Sequence, residues 1–513
     1  MHEHPEKRCY YSMVATFYVQ NFGCRATQAD GAAIERQLKE RGLEQTSASG
    51  EAQIVVLNTC TVTASADQDA RAAIRRVHRE NPNAQIVVTG CYAQRSPDEL
   101  ASLPGVTQVI GNSHKHQLAE IALPNICEGQ NESATTASDF VAVEVLTSGR
   151  QGRRPTTDDQ RQVFVSDIFA HTELLAAPVF EAANERTRPN LKIQDGCDNR
   201  CSFCVIPFVR GQSRSMKLEQ IIAEVNTLVS AGYRELVISG ISLGRWGRDL
   251  QRDVRLPVSG NRETEAGTPD LVSLIRAILD TTSLEKLRIS SVEPMDWSDA
   301  LISLVAESPR IAKHAHVPMQ SGCDAVLRRM HRKYRPWHYR EKIEEIRAAM
   351  PTAAIGADVM VGFPGETDAE FEETRRMIEA LPFTYLHVFT YSARPGTPAA
   401  SMPRQVPVQI ARERNRILRE LGMRKKQVFM ESFVGKTVDA ITLAGESRAS
   451  RAGAASNGAS RRDCDYTECL TDNYLPLRFR GDRKANQWLP IRVDSVEDTT
   501  LIGTLLNNCS DQA

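Results

Sequence analysis

Short apolar runs alternate with amphipathic segments along most of the chain. In the N-terminal region, residues 13–127, four apolar runs predict strands: 16–20, 53–57, 85–89 and 106–110. The segments between them predict helices that begin near Thr27 and Ala64. Apolar strands separated by amphipathic helices are typical of a parallel sheet with helices on both faces.

A second series of strands and helices extends over residues 187–427. Its six predicted strands lie near 191–194, 235–240, 286–291, 313–319, 353–361 and 385–391. Six parallel β/α units predict an open barrel, smaller than the closed barrel of eight units, with its site at the carboxyl ends of the strands. From about Val428 to residue 508, short alternating strands predict a small β-barrel.

Polar stretches separate these predicted domains. Residues 1–12 are predicted to form a disordered lead, because regular patterning begins only at Met13. Residues 128–186 are rich in Ser, Thr, Gly, Asp and Gln, which predicts a partly disordered linker. The stretches 251–268 and 446–463 are predicted to be surface insertions.

The composition is that of an ordinary globular protein. The chain has 513 residues, 41% hydrophobic and 25% charged, with a formal net charge of −1, so any nucleic-acid site must come from local basic patches. No run approaches the roughly 18 apolar residues of a membrane span, and the N-terminus lacks the apolar core of a signal peptide. The 12 cysteines are too sparse for a disulfide scaffold. We therefore expect a reducing, cytoplasmic location, in which thiols are available to metals.

Three cysteines, Cys197, Cys201 and Cys204, directly follow the first strand of the central series. Three thiolates can hold three irons of a [4Fe–4S] cube and leave the fourth iron open to a small molecule. The alternative is a structural zinc site, which normally has four ligands. Because no obvious fourth partner follows Cys204, the spacing favours an iron–sulfur cluster at which chemistry takes place.

Three further cysteines, Cys24, Cys60 and Cys91, each follow one of the first three predicted strands. The carboxyl ends of parallel strands meet at one edge of a sheet, where binding crevices form. The alternative is that these residues are buried core side chains, a common fate of cysteine. Their equivalent positions favour a second cluster site.

The spacing of Cys197, Cys201 and Cys204 is that of the radical S-adenosylmethionine (SAM) enzymes. Nearly the whole chain resembles one family of them, the methylthiotransferases, through the segments 21–28, 58–63 and 90–94 around the other three cysteines. The resemblance implies an α/β fold with a flavodoxin-like parallel-sheet N-terminal domain, an open six-unit radical SAM barrel and a small C-terminal β-barrel (TRAM).

The same resemblance implies two [4Fe–4S] clusters and SAM as cofactors. Cys197, Cys201 and Cys204 are expected to hold the cluster that cleaves SAM and so generates a 5′-deoxyadenosyl radical. Cys24, Cys60 and Cys91 are expected to hold an auxiliary cluster that carries or donates sulfur.

Residues at the strand ends of the barrel are candidates for binding SAM. Phe203 is expected either to pack beside the adenine or to anchor the cysteine loop. Ser239 and Gly240 are expected near the amino group of SAM, with Gly240 allowing close approach of a ligand. Glu293 is a candidate for the ribose or an ammonium group, with a solvated carboxylate as the alternative.

Four other residues complete the set of cofactor candidates. Gln320 is a neutral hydrogen-bonding side chain suited to a polar ligand. Gly362 begins a turn that resembles a radical SAM motif lying against adenine. Arg210 and Arg214 are candidates for the SAM carboxylate, since arginine binds carboxylates bidentately, or for RNA phosphate.

Basic residues are interleaved with aromatic residues in two stretches, 328–337 and 478–484. Cations contact phosphates and aromatic rings stack on unpaired bases, although a solvated charged surface is the usual alternative. The family resemblance implies the anticodon stem-loop of tRNA as substrate, and an electron donor such as flavodoxin or ferredoxin.

The segment Thr61-Val62-Thr63 resembles the branch of the family that acts on N6-threonylcarbamoyladenosine at tRNA position 37. The sequence therefore predicts methylthiolation of this base by a sulfur-group transferase. Other branches act on isopentenyladenosine or on a ribosomal protein. More distant alternatives are an iron–sulfur electron carrier and an RNA-binding scaffold.

Overall fold

The computed structural model describes residues 15–123, 162–171, 174, 187–250, 269–444 and 466–506. The predicted lead, both predicted insertions and most of the predicted linker lie outside these residues. The chain divides into two compact units, one extending to His171 and the other beginning after it, with Val62–Ala64 grouped with the second. None of the helices in the described ranges combines the length and the apolar character that a membrane span requires.

The first unit is built on a parallel sheet. Its strands are β1 Thr16–Asn21, β2 Glu44–Gln45, β3 Ile54–Thr59, β4 Gln85–Gly90, β5 Val106–Gly111 and β6 Gln162–Phe164. Its α-helices are α1 Arg25–Glu40, α2 Ala64–Glu80, α3 Cys91–Arg95, α4 Pro97–Ala101 and α5 Leu118–Ala122. The strand order is β2-β1-β3-β4-β5-β6, with every neighbouring pair parallel. This order confirms the flavodoxin-like prediction and reverses between β1 and β3, where such sheets bind ligands.

The sheet is covered on both faces, as its continuous apolar strands require. Every residue of β3 is buried. Ile74 and Val77 of α2 pack with Val55 and Leu57 on one face. One prediction needs correction: β6 lies in the stretch assigned to the linker, yet it pairs in parallel with β5 at the edge of the sheet.

The second unit contains the predicted open barrel. Its strands are β7 Asn190–Asp195, β8 Arg214–Ser215, β9 Glu235–Gly240, β10 Lys286–Ile289, β11 His314–His316, β12 Ala354–Val361 and β13 Tyr385–Thr390. The α-helices are α6 Ile206–Arg210, α7 Leu218–Ser230, α8 Leu271–Thr281, α9 Asp299–Glu307, α10 Asp324–Arg329, α11 Pro336–Ala349, α12 Asp368–Ala380 and α13 Val408–Glu431. Strands pair in the orders β10-β9-β7-β8 and β11-β12-β13, and single bridges join β10 to Ile311 and Ser291 to β11. All six predicted strands are present, and β8 is an added short strand antiparallel to β7.

The C-terminal strands close into the predicted small barrel. They are β14 Thr437–Thr442, β15 Tyr466–Thr471, β16 Pro476–Arg480, β17 Trp488–Glu497 and β18 Thr500–Leu505, in the order β14-β15-β16-β18-β17. Alternate residues such as Leu477, Phe479 and Ile491 fill its core. Within the second unit, Arg288 of β10 donates to the carbonyl of Asp472 at 3.0 Å, which ties this barrel to the larger one.

Candidate functional site

The loop that carries Cys197, Cys201 and Cys204 begins directly after β7. Gly196 has a φ of +71°, and a Cβ at this position would overlap the carbonyl oxygen of Gln212, so the turn requires glycine. The amide of Cys197 donates to the carbonyl of Gly211 at 3.1 Å. The cysteine loop is therefore fixed against the segment that follows α6.

A buried carboxylate, Asp195, anchors the base of this loop. Arg210 Nη1 lies 3.0 Å and 2.9 Å from its two oxygens, and Lys192 Nζ lies 2.9 Å from Oδ2. Burial raises the pKa of Asp195, but the surrounding cations outweigh it and hold the pKa well below its usual range. Arg214 donates to the carbonyls of Arg210 and Gln212 at 2.9 Å and 3.2 Å.

These contacts correct the sequence-based roles of Arg210 and Arg214. Both were candidates for the SAM carboxylate or for RNA phosphate. Arg210 is only 2% exposed and its guanidinium is paired with Asp195, while Arg214 bonds loop carbonyls. Asp195, at the end of β7, is buried and needs a positively charged partner, which Arg210 supplies. Arg214 instead holds carbonyls at the end of α6 and in the loop after it. Both residues shape the cysteine loop.

Phe203 anchors the other end of the loop. Its ring meets the buried ring of Phe363 edge-on, with centroids 6.4 Å apart. The neighbouring Ser202 donates from its hydroxyl to the carbonyl of Arg329 at 2.7 Å. Of the two roles expected for Phe203, these contacts support the anchor.

The turn at Gly362 is stabilised by the ion pair between Glu366 and Arg414. Gly362 has a φ of +74°, and a Cβ there would lie 2.6 Å from the Cβ of Ala411. Its amide donates to Glu366 Oε2 at 2.7 Å, and Arg414 of α13 donates to the same oxygen at 2.6 Å. The turn therefore presents Phe363 to Phe203 in a fixed position.

Arg332, which sequence reasoning placed in an RNA-binding stretch, connects the cysteine loop to the end of the third barrel strand. Its guanidinium is buried, donates from Nη1 to Cys201 Sγ at 3.2 Å, and forms an ion pair with Glu293. It also lies over the ring of Tyr334, 4.9 Å from the centroid. Burial lowers the pKa of Arg332, but Tyr334, Glu293 and Cys201 together hold the pKa well above its usual value. A permanent cation therefore faces one candidate cluster ligand, and Glu293 is paired rather than solvated.

We expect Arg332→Gln to lower the reduction potential of a cluster held by this loop and to slow SAM cleavage. Loss of a hydrogen bond and a positive charge at Cys201 disfavours the reduced state. Hydrogen bonds to charged groups contribute about 1.5–3 kcal/mol, which corresponds to a shift of roughly 60 mV or more for one electron. Potentiometric titration measures the shift. Arg328→Gln, at an exposed position on α10, is the control, and equal potentials in the two variants would contradict the role.

Two residues that follow or end β9 and β11, Ser239 and Gln320, have features expected at a binding site for a polar ligand. The hydroxyl of Ser239 is buried without a hydrogen-bond partner in the described part of the chain, and such a group costs about 1–3 kcal/mol. Gln320 has a φ of +62°, a strained conformation of a kind that clusters at functional sites. Gly240 is different: a Cβ there would lie 2.9 Å from Gln194. Glycine at this position therefore makes room for Gln194, and the expected approach of a ligand stays a prediction.

The structure brings Cys24, Cys60 and Cys91 to one rim of the N-terminal sheet. Gly23 has a φ of +99°, and a Cβ there would lie 2.7 Å from the Cβ of Cys60. Gly90, which precedes Cys91, pairs with the residue that precedes Cys60. Cys24 is exposed, whereas Cys60 and Cys91 are buried. The three cysteines therefore follow strands β1, β3 and β4 at one edge of the sheet, and the glycine at position 23 lets the loop of Cys24 approach Cys60 closely.

In the segment that follows Cys60, Thr61 is buried and Val62 is exposed. Thr61 is fully buried and donates to Asp67 Oδ1 at 2.6 Å. Asp67 in turn pairs with Arg95 at 2.8 Å. Val62, by contrast, is 47% exposed. Thr61 therefore stabilises the rim, and Val62 is the side chain that solvent reaches.

The two basic stretches differ in the surface they offer. In 328–337, Arg329 pairs with Glu370 at 2.9 Å, and Arg332 and Tyr334 are buried, so these three residues are paired or buried, whereas Arg328, Lys333 and Trp337 are exposed. In 478–484, Arg480 and Lys484 are exposed, and Arg480 lies 5.9 Å from the ring centroid of Tyr466. Both stretches therefore expose cations close to an aromatic ring, and the RNA role stays a prediction for each.

Comparison with known proteins agrees with this geometry. Residues 16–111 match the Uncharacterized protein family UPF0004, and residues 191–378 match the Radical SAM superfamily. The radical S-adenosylmethionine methyltransferase TsrM from Kitasatospora setae has a similar fold, with a TM-score of 0.51, 15% identity, and coverage of 76% of this chain and 77% of that chain. The fold and the cysteine loop thus define a radical SAM enzyme.

Three relatives that align with most of this chain show which family of radical SAM enzymes it belongs to. The chain is 31% identical to the threonylcarbamoyladenosine tRNA methylthiotransferase MtaB of Aquifex aeolicus, over 92% of this chain and 99% of that protein. It is 36% identical to the protein of that name in Bacillus subtilis, over 78% and 79%. It is 32% identical to the tRNA-2-methylthio-N(6)-dimethylallyladenosine synthase of Novosphingobium aromaticivorans, over 83% and 86%. The chain belongs to the radical SAM tRNA methylthiotransferase family, whose members use SAM and two [4Fe–4S] clusters.

The residues present fit these cofactors. Burial raises the pKa of the Cys197 and Cys204 thiols, that of Cys204 to about 12, so both thiols are protonated without a metal, and a metal ion that binds them must displace their protons. The amide of Asn199 donates to Cys197 Sγ at 3.4 Å, and Arg332 donates to Cys201. Both donors suit thiolates that ligate iron, and the Ser239 hydroxyl, which has no hydrogen-bond partner among the described residues, suits a polar cofactor.

Proposed function

We propose that this enzyme converts N6-threonylcarbamoyladenosine at position 37 of tRNA into its 2-methylthio derivative. The observation that carries the proposal is the segment Cys60-Thr61-Val62-Thr63, which resembles that branch of the family. The names of the relatives from Aquifex aeolicus and Bacillus subtilis support the same base. The anticodon stem-loop is the proposed partner, with flavodoxin or ferredoxin as the proposed electron donor.

Each group of residues has a role in this proposal. Cys197, Cys201 and Cys204 hold the radical-generating cluster, and Cys24, Cys60 and Cys91 hold the auxiliary cluster. When bound, the cofactors supply a radical that removes hydrogen from an aromatic carbon too inert for acid–base catalysis.

The side chains around the barrel cluster position and shield it. Arg332 and Glu293 orient Cys201 and keep a positive charge beside it. Phe203 and Phe363 exclude water from one side of the loop. Exposed cations of the small barrel, Arg480 and Lys484, contact the phosphates of the tRNA.

Mass spectrometry of tRNA nucleosides from a deletion strain tests the substrate. We expect 2-methylthio-N6-threonylcarbamoyladenosine to disappear, its unmodified precursor to accumulate, and the wild-type gene to restore the product. The Cys197→Ser gene is the matched control and should not restore it. Persistence of the product in the deletion strain would contradict the proposal.

N6-dimethylallyladenosine is the second candidate substrate. It is favoured by the relatives from Novosphingobium aromaticivorans and Thermobifida fusca, each 32% identical, whose names specify this base. The same nucleoside analysis separates the two. Loss of the 2-methylthio-dimethylallyl nucleoside alone would support the second candidate.

A further inference from the structure

We propose that His316, Asp358 and His387 form a binding site for a divalent transition-metal ion of the zinc class inside the central barrel. None of the six candidate cluster cysteines contributes to it. His316 ends β11, Asp358 lies in β12 and His387 lies in β13, and β12 pairs in parallel with both neighbours. One ligand atom from each side chain lies within 4.8 Å of the other two.

The alternation of side chains along the strands turns all three residues into the barrel. In β12, Ala357 and Val359 belong to the apolar core between strands and helices. Asp358 lies between them and therefore faces the opposite side of the sheet. The same holds for His316 and His387, whose chain neighbours pack in or against that core: Ala315, Val317, Leu386 and Val388. Three strands thus direct two imidazoles and a carboxylate to one place.

The spacing of these atoms fits metal ligands, although His387 Nδ1 and Asp358 Oδ1 are also within reach of a long hydrogen bond. Asp358 Oδ1 lies 3.3 Å from His316 Nε2 and 3.3 Å from His387 Nδ1. Charge-assisted N–H···O⁻ bonds are shorter, about 2.7–2.9 Å. Two ligands about 2.1 Å from a zinc ion at a tetrahedral angle lie roughly 3.4 Å apart. His316 Nε2 is moreover buried, and its approach to Asp358 lacks hydrogen-bond geometry.

The neighbouring aromatic residues pack against the two imidazoles. Tyr385 packs against His316 and His387, with ring centroids 6.0 Å and 5.3 Å away. A Cβ at Gly356 would overlap this tyrosine ring, so glycine there makes room for it. His314 lies outside this group of ligand atoms, and its Nε2 contacts Tyr385 Oη at 2.7 Å. Two histidines and one carboxylate with an open position are typical of zinc and non-haem iron(II) sites.

The test measures zinc bound to the reconstituted holoenzyme. The protein is incubated with Zn²⁺ and freed of excess metal, after which zinc and iron are counted and zinc X-ray absorption is recorded. We expect about one zinc ion per chain, with nitrogen and oxygen ligands at about 2.0–2.1 Å and no sulfur shell at about 2.3 Å. His387→Gln and Asp358→Asn should each weaken zinc binding at least tenfold without changing the iron content.

His338→Gln is the matched control, since His338 is an exposed histidine on α11 outside the cluster. It should bind zinc as the wild type does. His387 has a side chain 54% exposed, so its replacement should preserve folding, which unchanged iron content and circular dichroism verify. Sulfur in the zinc shell, no retained zinc, or equal binding by His387→Gln and the wild type would overturn the proposal and show an adventitious ion only.

Discussion

Serine at position 197 is expected to reduce SAM cleavage to background while leaving tRNA affinity nearly unchanged. Cys197 is one of three thiols in the loop after β7, and its position is fixed by the bond to the carbonyl of Gly211. A hydroxyl is a poor substitute for a thiolate on iron, so the remaining cysteines, Cys201 and Cys204, would not hold the cluster in working form. The exposed cations of the small barrel are untouched by this change.

Release of 5′-deoxyadenosine under reducing conditions measures SAM cleavage, and a filter-binding titration measures tRNA affinity. Cys323→Ser is the matched control, because Cys323 is a buried thiol outside both cysteine sets. It should retain cleavage. Cleavage by Cys197→Ser at the wild-type rate would remove this loop from the radical chemistry.

Cys60→Ser is expected to preserve SAM cleavage, unlike Cys197→Ser, and to abolish methylthiolation. Cys60 is buried on the rim of the N-terminal sheet, against Gly23 and next to the buried Thr61. Its loss removes a ligand of the proposed sulfur-supplying cluster, whereas the barrel loop keeps all three of its thiols.

The product is measured as the methylthiolated nucleoside in purified tRNA treated with the variant, alongside 5′-deoxyadenosine from the same reaction. Thr61→Ser, which retains a hydroxyl for Asp67, is the control and should still form product. Product formation by Cys60→Ser at the wild-type level would show that the rim cysteines do not serve sulfur transfer.

The sequence could predict strands and loops whose signals are local. The apolar run at Ile54–Thr59 is buried on both sides, and such strands are recognised by composition alone. The convergence of Cys24 with Cys60 follows from parallel pairing, which brings strand ends to one edge. Local patterning and one topological rule were therefore enough to predict that each cysteine follows a strand, while the clusters they hold stay a prediction.

Residues whose roles depend on distant partners could not be predicted. Arg332 lies 131 residues from Cys201, and nothing in its basic surroundings distinguishes it from Arg328. The pairing of Arg210 with Asp195 could not be predicted, because the sequence does not distinguish a buried aspartate at the end of a strand from an exposed one in a loop. The run Gln162–Phe164 stands out as apolar within the polar linker, but its partner strand, β5, could not be predicted because the paired residues of the two strands are 54 residues apart.

The iron and sulfide content after anaerobic reconstitution tests the assignment of the six cysteines most directly. The wild type should bind about eight irons per chain, and a variant with serine at Cys24, Cys60 and Cys91 about four, with SAM cleavage retained. Serine at Cys197, Cys201 and Cys204 should also leave about four irons, but without cleavage. About four irons in the wild type, unchanged by the N-terminal replacements, would contradict the account of two clusters.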